Sequence, residues 1–433
     1  MKIKVILIFF LFFLTVIEAK AQTLSFIRDT EIEGVLKSYV QKLFKAADLP
    51  VQKANVAIVN DQDLNAFVVG GHTIFIHTGL ITQSKSVDDL IFVLAHETGH
   101  IKGGHVVRGT EAYERAQTTA LISTILGGLV AVVGRPDAGI AVMMGGNTSA
   151  EALYTTFRQT DESSADRIAV DIMHKTNYSM DGFLNTMKLI KMQDRLTPQN
   201  EWSYLRTHPI SQERMGALDR FTQNPLPLTK DIRFELIKAK LIGFLYPPQR
   251  VFDIYRAQNT LPALYARSIA HYRNRELQKS LSLLDSLIKL KPNFPYFYEL
   301  KAQFLLETNQ IDKAIYYYQE ALKHIQQAPL IRLSLAQALL QKEDKASALQ
   351  AQKELETILL TDQNIPFVWQ LLATAYDRTN KIALRDYSMA ELYRLQRDYK
   401  NAAKSAQKAL KGLKKGTVTY HKAEDILALT NKN

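Results

Sequence analysis

A 34-residue period in the second half of the chain narrows the fold more than any other feature. Ala302, Leu305, Ala314, Tyr318 and Ala321 set a spacing of small and large apolar residues. Shifted forward by one period, the matching positions are Ala336, Leu339, Ala348, Gln352 and Leu355. Shifted back, they are Ser268, His271, Ser280, Leu284 and Leu287, with Lys291-Pro292 closing that unit. Trp369, Leu372, Ala373 and Tyr376 open a further unit, and Ala402, Ala406 and Ala409 carry the spacing to about residue 413. This is the period of a helix-turn-helix repeat. Small residues let the two helices of a unit approach closely, and stacked units bury a core that no single unit could make. Residues 231–413 are therefore expected to form an α-solenoid. Residues 231–260 read as a degenerate first unit and 414–433 as a C-terminal extension. Asn224-Pro225-Leu226-Pro227 marks the seam with what precedes.

The first half reads differently. Residues 25–49 look like an amphipathic helix ending near Leu49-Pro50. Val56 to Val59 and Thr73 to His77 are short strand-like runs, punctuated by Asp61 to Asp63 and Gly70-Gly71. After Gly79 the pattern turns helical. An apolar run, Leu90 to Ala95, then leads into His96-Glu97-Thr98-Gly99-His100. Two histidines four apart share one helix face, so both rings can reach one metal ion. The glutamate between them can reach a water there. This is the two-ligand-plus-base arrangement of zinc peptidases.

Catalytic zinc usually takes three protein ligands and keeps one position open. The segment Thr160-Asp161-Glu162-Ser163-Ser164-Ala165-Asp166 offers the third. Glu162 and Asp166 are spaced i,i+4 and share a helix face. Glu162 can then ligate the metal while Asp166 accepts the free ring N–H of a ligating histidine, which fixes its tautomer.

Through these residues and those that follow, the chain resembles the gluzincin metallopeptidases of the HtpX and CAAX-prenyl-protease type over about residues 50–220. The carriers are HETGH, the downstream E-x-x-A-D, His208-Pro209 and Arg214 beyond it. Asn65-Ala66-Phe67, Gly70-Gly71 and Ile74-Phe75-Ile76 resemble that family's strand pair. Within the family the chain looks most like the periplasmic BepA/YfgC-like subgroup, which carries C-terminal tetratricopeptide repeats. The resemblance implies a mainly α fold: an α+β protease domain with a small β-sheet (22–225), then the α-solenoid of tetratricopeptide repeats (231–413). It implies one zinc per chain on His96, His100 and Glu162, with Glu97 as general base. His208 is expected to stabilise the oxyanion, or else to ligate the metal itself and hold the enzyme off. Arg214 supports His208 or the oxyanion. The implied substrates are unfolded or stalled outer-membrane proteins, and the implied partner is the outer-membrane assembly machinery, met through the repeats. A protein of another class also fits: a chaperone or scaffold whose protease site is silent.

Composition sets the compartment. Lys2 and Lys4, the apolar run Val5 to Ile17 and Ala19-Lys20-Ala21 read as a cleavable signal peptide over 1–21. The expected location is the periplasm of a Gram-negative bacterium. The chain has no cysteine, so it uses no disulfide and has no lipid-anchoring thiol. Residues 231–433 carry a net +11, whereas 22–230 carry −2. A basic half attracts anionic membranes, nucleic acid or acidic partners. A secretory signal and the lack of any nucleic-acid module exclude nucleic acid. The apolar stretch 118–146, broken at Arg135-Pro136-Asp137, has three open readings: a buried helix over the site, a hairpin in peripheral contact with a membrane, or a lid. His72, His77 and His105 are expected to be surface or core residues without a role at the metal. The strand 73–77 is a place where an extended substrate could pair, if its edge is free.

Overall fold

The computed structural model describes residues 25–69, 71–105, 159–196, 204, 208, 211–222 and 226–430. The segment 1–21 expected to be a signal peptide, the stretch 118–146 and the first half of the proline seam lie outside them.

The chain opens with a two-residue strand, β1 (Phe26–Ile27), and then helix α1 (Thr30–Ala46). The helix therefore starts five residues later than the amphipathic pattern implies. Asp29 sets this boundary: its carboxylate accepts the Ile32 N–H, and Glu33 reaches back to the Asp29 N–H at 3.1 Å. Reciprocal caps of this kind stop a helix from extending backwards. Residue 26 is thus left to pair with the sheet.

Strands β2 (Asn55–Val59), β3 (Ala66–Val68) and β4 (Thr73–His77) complete a sheet of order β1-β2-β4-β3. β2 and β4 run parallel, and β3 pairs antiparallel with β4. β4 is thus flanked on both sides and all its residues are buried, as its unbroken apolar run requires. The strand 73–77 therefore has no free edge on which an extended substrate could pair.

Helix α2 (Thr78–Gln83) follows directly and leads to α3 (Val87–Gly103). Ser86 and Asp89 cap α3 reciprocally. Every residue of α3 from Val87 to His100 is buried, so it is a central helix with neighbours all round. Those neighbours include α4 (Gln159–Thr176) and α5 (Asp181–Leu196); α6 (Gln212–Asp219) packs on α4. At the head of α3, the Asp88 carboxylate accepts from the Ser179 N–H and from both the N–H and hydroxyl of Thr229. The segment after the proline seam is therefore stitched to the metal helix.

The rest is helical: α7 (Ile232–Leu245), α8 (Pro248–Ile254), α9 (Leu261–Arg273), α10 (Leu277–Leu290), α11 (Pro295–Glu307) and α12 (Ile311–His324). Then come α13 (Pro329–Gln341), α14 (Lys345–Leu359), α15 (Pro366–Arg378), α16 (Ile382–Leu395), α17 (Tyr399–Leu410) and α18 (Val418–Thr430). Successive helices pack on one another as in a solenoid. The periodic small residues Ala302, Ala314, Ala321, Ala336, Ala348, Ala402, Ala406 and Ala409 are fully buried between them. The C-terminal extension is also a helix, and it adds Ala423 and Ile426 to the same core.

The array rests on the first half through buried polar contacts. Lys240 Nζ lies 2.7 Å from Asp29 Oδ2 and 3.2 Å from Glu31 Oε2, and the Tyr265 hydroxyl donates to Glu31 at 2.8 Å. A cavity of about 350 Å³ lies between α1, β2 and the array, lined by Lys37, Val56, Leu330, Leu333 and Ile365 among others. Among the described residues no helix is long and apolar enough to cross a membrane.

Candidate metal centre

Helix α3 supplies His96, Glu97 and His100, and α4 supplies Glu162 and Asp166. The two helices cross where Gly99 meets Ala165. A Cβ on Gly99 would stand 2.6 Å from the Ala165 carbonyl oxygen, closer than any real contact. The glycine of HETGH thus lets α4 come near enough for Glu162 to reach both histidines.

His96 Nε2 and His100 Nε2 lie 3.0 Å apart. Glu162 Oε1 is 3.2 Å from His100 Nε2, and Glu162 Oε2 is 3.4 Å from His96 Nε2. His208 joins them: its Nδ1 is 3.0 Å from Glu162 Oε1 and 3.4 Å from His96 Nε2. Donor atoms at the corners of a tetrahedron with bonds of about 2.0–2.1 Å stand about 3.3 Å apart. The distances above, 3.0 to 3.4 Å, are close to that spacing, all four donors lie within 4.8 Å of one another, and each group is fully buried. Uncharged nitrogen and carboxylate donors packed so closely repel one another unless a cation or protons lie between them. The donor set, two to three imidazoles and a carboxylate, suits zinc. The residues present therefore fit the metal.

The surroundings tune the proton affinity of each donor. Burial pushes the His100 ring down to about 3, and it also lowers His208, so both keep a lone pair at neutral pH. Burial would lower His96 as well, but Asp166 and Glu162 outweigh it and hold that ring up to about 10. His96 is thus the ring whose proton a metal has to displace. For Glu162, burial opposes ionisation, but the contacts with His100, His208 and His96 hold it far below the usual carboxylate range. Glu97 sits outside the ligand set. Neither of its oxygens accepts a hydrogen bond, and the nearest ring nitrogen, His208 Nε2, is 3.5 Å away. Burial pushes its carboxyl up to about 8.

Asp166 stands where the i,i+4 spacing puts it: Oδ1 is 3.0 Å from His96 Nδ1. The Arg214 guanidinium grips Asp166 bidentately at 2.7 and 2.9 Å and reaches Glu162 Oε2 at 2.7 Å. It therefore braces the two carboxylates of α4, one of which also meets His208. Two residues were missed from sequence. Tyr204 stacks on the His208 ring with centroids 4.6 Å apart, one helical turn before it. His105, expected to have no part at the metal, contacts His100 through ring nitrogens 3.0 Å apart. The only signal for His105 lay in the pair of glycines before it.

Comparison with known proteins agrees with this geometry. Residues 31–222 match the model of Peptidase family M48. The chain is 26% identical to the beta-barrel assembly-enhancing protease of Yersinia pestis over 343 residues, covering 77% of this chain and 69% of that one. It is 23% identical to the protein of that name from Escherichia coli (strain K12) over 375 residues, 84% and 75% of the two chains. The metalloprotease LoiP of the same strain is 24% identical over 164 residues, 38% of this chain and 60% of that one. The chain is a zinc metalloendopeptidase.

Proposed function

We propose that the protein is a periplasmic zinc endopeptidase acting in quality control and assembly of outer-membrane proteins, restrained at rest by its own His208. The observation that carries this reading is the closed four-donor cluster of His96, His100, Glu162 and His208 beside an unengaged Glu97. The names of its relatives support the place of action, and the signal peptide read in residues 1–21 supports the compartment. Residues 22–225 are the protease, and 231–413 are tetratricopeptide repeats that recruit unfolded barrel proteins or their assembly machinery. The basic charge of the array suits an acidic partner or an anionic surface.

Zinc, when bound, is the Lewis acid that activates water and polarises the scissile carbonyl. His96, His100 and Glu162 hold it. Glu97 takes a proton from water and passes it to the leaving amine. Asp166 fixes the His96 tautomer, and Arg214 keeps Asp166 and Glu162 ionised. His208 Nδ1 stands in the position that substrate needs. Activation therefore requires that His208 withdraw, after which its ring is free to donate to the developing oxyanion.

Glu97→Gln tests the assignment. The variant is expected to bind one zinc per chain, like the wild type, and to cleave an unfolded outer-membrane protein at least a hundredfold more slowly, as removal of a general base does. Cleavage at the wild-type rate would overturn the mechanism.

A further inference from the structure

We propose that His105 is the positioning residue of His100: it accepts the His100 Nδ1–H and so fixes the tautomer whose Nε2 faces the metal. The inference rests on the metal-site reading above. A neutral imidazole carries one proton, and the nitrogen opposite a metal must donate it to a neighbour. His100 Nε2 faces His96 and Glu162, so its proton belongs on Nδ1. The atom 3.0 Å from that nitrogen is His105 Nδ1. His105 must then carry its own proton on Nε2, which points toward the carboxylate of Asp161 at 4.0 Å. Asp161 adjoins Glu162, so one helix turn provides both a ligand and the anion that steadies another ligand.

The local backbone is shaped for this contact. Helix α3 ends at Gly104, whose φ of 64° is left-handed, and the chain doubles back so that the His105 N–H bonds to the His100 carbonyl at 3.1 Å. The His105 ring then lies across Gly103: a Cβ there would stand 2.2 Å from His105 Nε2. One glycine makes the turn and the other makes the room. The ring comes to rest 5.1 Å from that of His100, at 79° to it, with only 5% of the side chain exposed. The arrangement matches the Asp166 contact on the other histidine, with an imidazole in place of the carboxylate.

Zinc affinity by chelator competition, and the visible spectrum after cobalt substitution, separate this role from plain packing. Loss of such a partner typically weakens metal binding about 10–100-fold. His105→Leu is expected to lose affinity in that range and to shift the cobalt bands. His105→Gln, whose amide oxygen accepts the same proton, is expected to recover most of both. Unchanged affinity and spectrum in His105→Leu would overturn the inference, as would a Gln variant no better than the Leu variant. If the wild type itself takes up no zinc, the proposed function falls, and this inference falls with it.

Discussion

At the scale of residues, the site is a set of charges that are stable only together. Glu162 and Asp166 are both ionised and buried, and Arg214 is a cation that touches both. Removing one member of a buried pair leaves an uncompensated charge, at a cost of about 3–5 kcal/mol. Arg214→Met is therefore expected to lower unfolding stability by that amount in denaturant melts of the metal-free protein. A change below about 1 kcal/mol would mean that solvent or other groups already neutralise the carboxylates. The pairs His96/His100 and Glu162/Asp166 were each legible because helical spacing sets which side chains share a face; that the two pairs meet was implied by the family resemblance. The partners of Arg214 were not legible, because Asp166 lies 48 residues away, and Glu162 a further helical turn beyond it, across a helix–helix contact that no local pattern encodes. His208 was visible as a histidine before proline, but which of its two nitrogens meets the ligands follows only from the fold. Tyr204 had no signal beyond its spacing from His208.

At the scale of elements, the decisive feature is how closely α3 and α4 cross. Gly99→Ala puts a methyl group against the Ala165 carbonyl. The backbones must separate, and overpacking of this kind costs about 1–3 kcal/mol. Because Glu162 reaches the histidines only across that crossing, zinc affinity should fall along with stability, which isothermal titration measures. Full affinity in Gly99→Ala would show that the helices relax without moving Glu162. The pattern in the sequence identified α3 as buried and found the strands 56–59 and 73–77. It misplaced the start of α1, since amphipathicity runs on through residues that a cap then excludes. It also left open whether β4 had an edge, because strand order depends on which segments return beside it. The 34-residue spacing located the buried alanines of the array, as small residues can be read without knowing the neighbours.

At the scale of the molecule, the first half and the helical array are joined by buried ionic contacts of Lys240 with Asp29 and Glu31, and the seam is pinned to α3 through Asp88. The metal centre lies inside this body, with His96, His100, Glu162 and His208 all at zero exposure. On the proposed restraint, a substrate reaches Glu97 only after His208 has left its place, so the resting state should be slow and the rate should depend on how firmly His208 is held. The most direct test compares the rate at which His208→Ala and the wild type, equally loaded with zinc, cleave an unfolded outer-membrane protein. A faster His208→Ala enzyme is the expected result. A rate equal to or below that of the wild type would contradict the restraint and leave His208 as a stabiliser of the reaction or a bystander.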